Sequence, residues 1–511
     1  MYADVTLQVR LDGFLGTPFS SGTGVKQGDP LSPLLFGLLI DRIEYCFRNK
    51  LPHIGVGMGA HILQVLLYAD DLAIMAESPQ EMQLLLNCLS DFCKASGLQV
   101  NIKKSEIVVF NSKFSETCDS SNAKNIIYNN QPLLIQPSFI YLGTLLLDGA
   151  PTKRMAAAQM RMLSKAKTAS FLMFRRCYSM GLHNVSIQLH LFDSLVRPIL
   201  NFGCENWGPR VMNDKDVTKS HSSEKWHRSV LKQMLGVCSS TTTHVIMEEL
   251  HRQPLCFDWL KQALRFWNKI ILRDEEDLVY IALRESASQN VGWTQDSNGA
   301  LKNLGCDVEL SDFALVDVEA VITQVSDYWQ RKYDNEPRQV RHIPDDNHTG
   351  FKLIKYHKWF APLQSKDSHT FASSLHKAEQ MKVVAQFRMC SHWLNCEKQR
   401  KVDRIEVPRS RRVCQLCHFD KCEDEMHLFE CPFYNDIRPR FHNLFSLVCE
   451  LTDDGTDMVI WNLDLSDSKM RSLMNGDGSA IFWNNLANYL LACKMKRQKL
   501  LDNLTLNYGA P

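Results

Sequence analysis

Two stretches of this chain hold residue types that could do chemistry. The first is Gln64 to Ala76, QVLLYADDLAIMA, where Asp70 and Asp71 stand side by side between two apolar runs. The aliphatic runs on either side predict a β-hairpin with both carboxylates at its tip. Adjacent acids in so apolar a segment repel each other. Desolvating an unpaired polar group costs roughly 2 to 7 kcal/mol, and a charge costs more. A hard divalent cation offsets that cost, and Mg2+ suits the site because it takes few protein carboxylates and completes its shell with water and phosphate oxygens. The plainer reading is a turn, which Asp favours for backbone reasons of its own.

The second stretch is Cys414-Gln415-Leu416-Cys417 with His427 and Cys431 beyond, a Cys-x2-Cys-x9-His-x3-Cys spacing. Thiolates and an imidazole at these separations suit tetrahedral Zn2+, and His427 and Cys431, four apart, reach one face of a helical turn. His418 and Cys422 are close enough to compete as ligands, and buried cysteines in a small core are the alternative. Just upstream lie Lys398, Arg400, Lys401, Arg404, Arg409, Arg411 and Arg412, against only Asp403 and Glu406. Such a cluster neutralises phosphates and releases counterions, with Arg409, Arg411 and Arg412 nearest the cysteines. The rival account is a solvated face, or pairing with Glu423 to Glu425.

Elements must hold these groups in place. Residues 4–23 alternate apolar and polar around Gly13, which predicts strand, turn and strand. Ser32 is placed to cap an apolar helix from Leu34 to Phe47, with Pro33 in its first turn. Ser78 and Pro79 open a second helix with apolar residues at Met82, Leu85, Leu86, Leu89 and Phe92, ending near Gly97. Lys103 and Lys104 follow where the chain turns back into a strand, Ile107 to Phe110, and residues 111–131 read as a loop. From Pro151 the character is helical. Lys153 to Arg175 is amphipathic and basic, a candidate grip for a duplex backbone. Stretches 187–202 and 226–237 follow, whose aromatics belong to the core, and Ile481 to Leu491 predicts a closing amphipathic helix.

The gross numbers bound the class. A chain of 511 residues with 45% apolar and 23% charged residues supports several domains and a substantial core. Lys plus Arg (58) and Asp plus Glu (57) nearly cancel, so any nucleic-acid surface must be local. Seventeen cysteines without a paired framework, and no apolar leader after Met1, point to a reduced compartment, nucleus or cytoplasm. No run approaches the roughly 20 apolar residues of a membrane span.

Four stretches in order carry a resemblance: Gly24 to Pro33 (GVKQGDPLSP), Tyr68-Ala69-Asp70-Asp71, Gly97 to Ser105 (GLQVNIKKS), and Phe139 to Thr144 (FIYLGT). They resemble motifs B, C, D and E of reverse transcriptases in the form found in non-LTR (LINE-type) retrotransposons. Gly203 to Gly208 and residues 226–255 resemble thumb elements of that family, and Glu423 to Arg438 with the cysteines resembles its cysteine-rich tail. The resemblance implies an RNA-directed DNA polymerase using Mg2+, with RNA template, DNA primer and dNTPs as partners. Asp70 and Asp71 would then be catalytic metal ligands, Lys104 would protonate leaving pyrophosphate, and Gln27, Gly28 and Tyr68 would contact template or nucleotide. The tail would hold Zn2+ at Cys414, Cys417, His427 and Cys431.

The implied fold is α+β: a partial right-hand palm (1–150), a helical thumb (151–275), a helical connector (276–397), a basic patch with zinc module (398–445) and a helical tail (446–511). One departure stands out. The family's motif A supplies a further aspartate, and Asp4, Asp12, Asp29, Asp41 and Glu44 do not stand in its context. The expectation is an N-terminally truncated polymerase that is inactive alone, with a longer product of the same element as a partner. The alternative is a catalytically silent nucleic-acid-binding remnant.

Overall fold

The computed structural model describes residues 5–21, 24–26, 28–110, 126–310, 313–339, 356–360, 370–398, 401–402, 405–408, 411–417, 419–446, 465–475 and 479–508. Of the expected contacts, Gln27, Arg400, Arg404, Arg409 and His418 lie outside them. Helices and strands are mixed, in two units: Met1–Arg154 with Arg273–Asn290, and Met155–Leu272 with Val291–Pro511.

The first unit opens with a nested pair of hairpins. Strands β1 (Val5–Leu7) and β4 (Phe19–Ser21) pair antiparallel around β2 (Arg10–Leu11) and β3 (Phe14–Leu15). Asp12 and Gly13 make the inner turn with φ of 47° and 88°, as expected around Gly13. The apolar helix is two helices, α1 (Ser32–Ile40) and α2 (Arg42–Lys50), meeting at Asp41.

Ser32 does not cap α1. The helix begins at Ser32 itself, and its hydroxyl donates to the Lys26 carbonyl at 2.6 Å. Asp29 takes up the cap-like role, Oδ1 accepting from the Leu31 N–H at 2.9 Å. The reason is local: the chain ahead of the helix brings the Lys26 carbonyl within reach of Ser32, and a side chain that bonds nearby backbone in this way is not left to cap the helix.

Strands β5 (Val56–Met58) and β6 (His61–Leu63) form a hairpin, followed by β7 (Val65–Tyr68) and β8 (Asp71–Ile74). Gly55, at φ 139°, precedes β5 where a Cβ would sit 2.8 Å from both Ile62 Cγ2 and the Leu63 carbonyl, so no other residue fits without a shift. Helix α3 (Pro79–Ser96) has the expected ends: Ser78 accepts from the Glu81 N–H, and Gly97 takes φ 67°. It buries Leu85, Leu86, Cys88, Leu89 and Cys93 against Ile43 and Phe47 of α2 and Val65 of β7. At about 25 cal/mol per Å2 of apolar area, each fully buried Leu contributes roughly 1.5 to 3 kcal/mol.

Beyond a 3-10 turn (Ile102–Lys104), the expected strand is only β9 (Glu106–Ile107). β10 (Ile127–Tyr128) and β11 (Gln131–Pro132) pair with each other, and β12 (Leu134–Ile135) runs parallel to β9. β13 (Ser138–Tyr141) and β14 (Thr144–Leu147) close the strand region as a hairpin.

The second unit is mostly helical. Helix α4 (Pro151–Ser179), most of which lies in it, extends past the expected Arg175. Trp207, Trp259 and Trp267 are buried, Trp207 meeting Trp259 edge-on at 5.1 Å, and Trp259 Nε1 donates to Asn201 at 3.0 Å. The core reading holds for Trp207 and Trp267, whereas Phe202 is 46% exposed. Among the described residues no helix is long and apolar enough to cross a membrane.

Candidate active site and metal centre

Tyr68 pairs with Asp71 across the β7–β8 hairpin, leaving Ala69 and Asp70 as a two-residue turn. Ala69 takes φ 51°, a left-handed conformation that costs an L residue roughly 1 to 2 kcal/mol. Strain of this kind persists where the surroundings over-determine the turn. Here Gln64, buried at the hairpin's base, does so. Its side-chain amide donates to the Leu51 and Ile54 carbonyls at 2.7 Å each, and its backbone carbonyl accepts from the Met75 N–H at 2.9 Å.

Asp70, Asp71 and Tyr68 are all exposed at the tip. Among the described residues no lysine, arginine or histidine pairs with either carboxylate, and no third His, Cys, Asp or Glu ligand groups with them. Two free, adjacent oxygen donors fit a hard cation such as Mg2+. The hairpin β13–β14 contributes a neighbour that sequence reasoning passed over. Burial, and then the negative charge of Asp71, raise the Tyr141 phenol above its usual range. Lys104 is exposed on its 3-10 turn, and Gly28 takes φ 87° just ahead of α1.

The cysteine cluster forms in the second unit. Ligand atoms of Cys414, Cys417, His427 and Cys431 all lie within 4.8 Å of one another. Cys417 Sγ is 3.3 Å from His427 Nε2, and Cys414 Sγ is 4.0 Å from Cys431 Sγ. An antiparallel bridge between Val413 and Cys422 holds the first pair, with the Cys414 N–H donating to the Lys421 carbonyl at 2.9 Å. Asp424 caps the short helix Glu425–Glu430 that carries His427, and the Cys431 N–H donates to the His427 carbonyl at 2.7 Å. Cys422 is half-buried in the bridge and outside the ligand group.

Sulfurs packed this closely cannot all ionise unaided. The hydrogen bond from Cys431 pushes the Cys414 thiol down to about 3, and the same contact pushes Cys431 up. A soft cation among them removes the conflict, so the donor set fits Zn2+.

Buried partners surround these four. Arg438 donates to the Cys431 carbonyl at 2.6 Å, and Arg497 pairs with Glu423. A second group, His392, Cys396 and Glu425, also gathers within 4.8 Å, with His392 Nε2 2.9 Å from a Glu425 carboxylate oxygen. The acidic run Glu423-Asp424-Glu425 was the signal for these ties, but its partners are remote in sequence.

The basic patch is partly corrected. Arg411 is exposed, but Arg412 is buried, donating to the Val407 carbonyl at 2.9 Å and the Cys396 carbonyl at 2.7 Å. The guanidinium is taken up by these two backbone carbonyls, so Arg412 serves the fold and not a phosphate. Helix α4 presents the more extensive cationic face: Lys153, Lys165, Lys167, Arg175 and Arg176 are exposed, with Phe171 and Tyr178 beside them.

Comparison with known proteins finds a match over the part of the chain that holds this hairpin. The family model for reverse transcriptase (RNA-dependent DNA polymerase) matches residues 2–146. Residues 2–146 carry a reverse transcriptase domain. This chain is 36% identical over 114 residues to the retrovirus-related Pol polyprotein of the type-2 retrotransposable element R2DM of Drosophila melanogaster, which is 22% of this chain and 10% of that protein. It is 38% identical over 82 residues to the Pol polyprotein of the type-1 element R2 of Popillia japonica, 16% of this chain and 11% of that protein. A transposon TX1 149 kDa protein of Xenopus laevis is 31% identical over 107 residues, 20% of this chain and 8% of that protein. The chain thus spans about a tenth of the length of these curated relatives. The matched reverse transcriptase domain contains Gly28, Tyr68, Asp70, Asp71, Lys104 and Tyr141, and it ends before α4 and the metal cluster.

Proposed function

We propose that this chain is part of an RNA-directed DNA polymerase of a non-LTR element. Its first 150 residues supply part of the palm, residues 151–275 a thumb, 276–397 a connector, 398–445 a zinc-stapled module and 446–511 a tail. The observation that carries the reading is the Asp70-Asp71 pair, exposed on a hairpin pinned by Gln64, within the matched domain.

Asp70 and Asp71 would hold Mg2+, which when bound neutralises triphosphate charge and activates a primer 3′-hydroxyl. Lys104 would give a proton to leaving pyrophosphate. Gly28, with Gln27 beside it and Tyr68 at the hairpin tip, would contact template or incoming nucleotide. The basic face of α4 and Arg411 would grip RNA template and DNA primer by their phosphates. Cys414, Cys417, His427 and Cys431 would hold a structural Zn2+. The free thiols suit the nucleus or cytoplasm.

Among the described residues no third acid joins the pair, and in-line transfer needs both ions held in register. The 511-residue chain assayed alone with primer, RNA template, dNTPs and Mg2+ should therefore show no incorporation above that of Asp70→Asn. Adding a longer protein of the same element that supplies the third acid should restore it. Synthesis by the chain alone that disappears in Asp70→Asn overturns the requirement for a partner. A failure of the supplemented reaction, alongside retained RNA binding, favours the silent nucleic-acid-binding reading.

A further inference from the structure

The candidate metal ligands lie between Cys414 and Cys431, yet a side chain far beyond them is tied into their frame. Arg497, on the tail helix Ala480–Tyr508, is 2% exposed. Its Nε donates to Glu423 Oε1 at 2.7 Å and its Nη2 to Glu423 Oε2 at 2.8 Å, a two-point clamp. Nη2 also donates to Asn395 Oδ1 at 3.0 Å, and the Asn395 N–H donates to Glu423 Oε2 at 3.0 Å.

Glu423 stands at the joint of the ligand set. Its N–H donates to the Arg412 carbonyl at 3.0 Å and its carbonyl accepts from the Cys396 N–H at 3.2 Å. On one side Cys422 is bridged to Val413, next to Cys414; on the other Asp424 caps the helix that carries His427. Asn395 Nδ2 completes the frame, donating to the Val413 carbonyl at 3.0 Å. A buried carboxylate that loses its cation is left uncompensated, and a planar fork fixes orientation as a single ammonium cannot.

We propose that Arg497 is a positioning residue for the metal centre: by clamping Glu423 it makes the Cys414–Cys417 turn and the helix that carries His427 and ends at Cys431 present their ligands together. The tail helix is then an integral part of the metal module. This rests on reading the four residues as a zinc site. The rival account is an ordinary buried ion pair whose loss lowers stability without bearing on the ligands.

The Arg388–Glu249 pair serves as the control, being equally buried in the same unit with a 2.7 Å contact. Full-length chain loaded with zinc chloride would be compared with Arg497→Met, Arg497→Lys and Arg388→Met. Two readouts are taken: zinc release to a chromogenic chelator, and amide exchange over residues 411–431. Arg497→Met should release zinc about 10- to 100-fold faster, the range for lost outer-shell partners. Arg497→Lys should recover part of that loss, while Arg388→Met leaves release unchanged though it lowers Tm. If Arg497→Met fails to fold, Glu423→Gln, which keeps the shape, should show the faster release. Equal release from Arg497→Met and wild type, or equal acceleration in Arg388→Met, overturns the proposal. A wild-type chain that binds no zinc sinks the metal reading. Exchange then still decides the role of Arg497: protection of 411–431 lost selectively in Arg497→Met supports it, and unchanged protection overturns it.

Discussion

Glu224 is fully buried, with one oxygen accepting from the Cys256 N–H at 3.0 Å and the other without a hydrogen-bond partner among the described residues. Burial pushes its carboxyl up to about 7 from an ordinary 4.5. Between those values the folded chain holds a proton that the unfolded chain has lost, so the Glu224 contribution to stability is present below pH 4.5 and falls as pH rises to about 7. The size is on the order of 3 kcal/mol. Buried His227 and half-buried His221, pushed down to about 3 and about 4, act the other way, their neutral forms favouring the fold as pH rises. Glu224→Gln isolates the carboxyl: denaturant titrations from pH 4.5 to about 7 should show the variant gaining on wild type as pH rises, and a constant difference would refute the assignment. At the same scale, one Zn2+ per chain should co-purify, and Cys414→Ser or His427→Ala should each lower the content, since a structural site needs all four ligands. Unchanged content in both would remove the site, and a drop only in Cys422→Ser would shift the ligand set.

Helix α4 shows how one element separates packing from binding. Its buried residues, Ala158, Met162, Leu163, Ala166, Met173, Phe174 and Cys177, recur at helical spacing, and its sequence has seven basic residues and no acid. Lys165, Lys167, Arg175 and Arg176 are exposed, where phosphates could reach them, and Phe171, 66% exposed, offers a stacking face. Changing Lys165, Lys167, Arg175 and Arg176 to glutamine should weaken single-stranded RNA binding and flatten its salt dependence, by about 0.7 in the log–log slope for each phosphate that is no longer neutralised. An unchanged slope would assign the face to solvent. Arg411→Ala should flatten the slope by about one such step, and Arg412→Ala should register in stability, because its guanidinium is spent on buried carbonyls.

At the scale of the whole molecule, a net charge of +1 gives no general attraction for nucleic acid, so the proposed binding rests on local faces such as that of α4. What the sequence determined by itself was local. The Asp70-Asp71 hairpin, the Ser78 and Gly97 ends of α3, the Asp12-Gly13 turn and the gathering of Cys414, Cys417, His427 and Cys431 were all legible, because each is set within one short stretch of the chain. Ser32 was misread even at short range, since a loop carbonyl folded back to claim its hydroxyl. Tertiary structure alone decided which charges face water. Arg411 and Arg412 are neighbours in sequence, yet one is exposed and the other satisfies buried carbonyls. Tyr141 feels Asp71, and Arg497 reaches Glu423 across 74 residues. Such pairings follow no local periodicity: a buried charge takes whichever partner the packed chain brings within reach, and that is settled only when the distant segments meet.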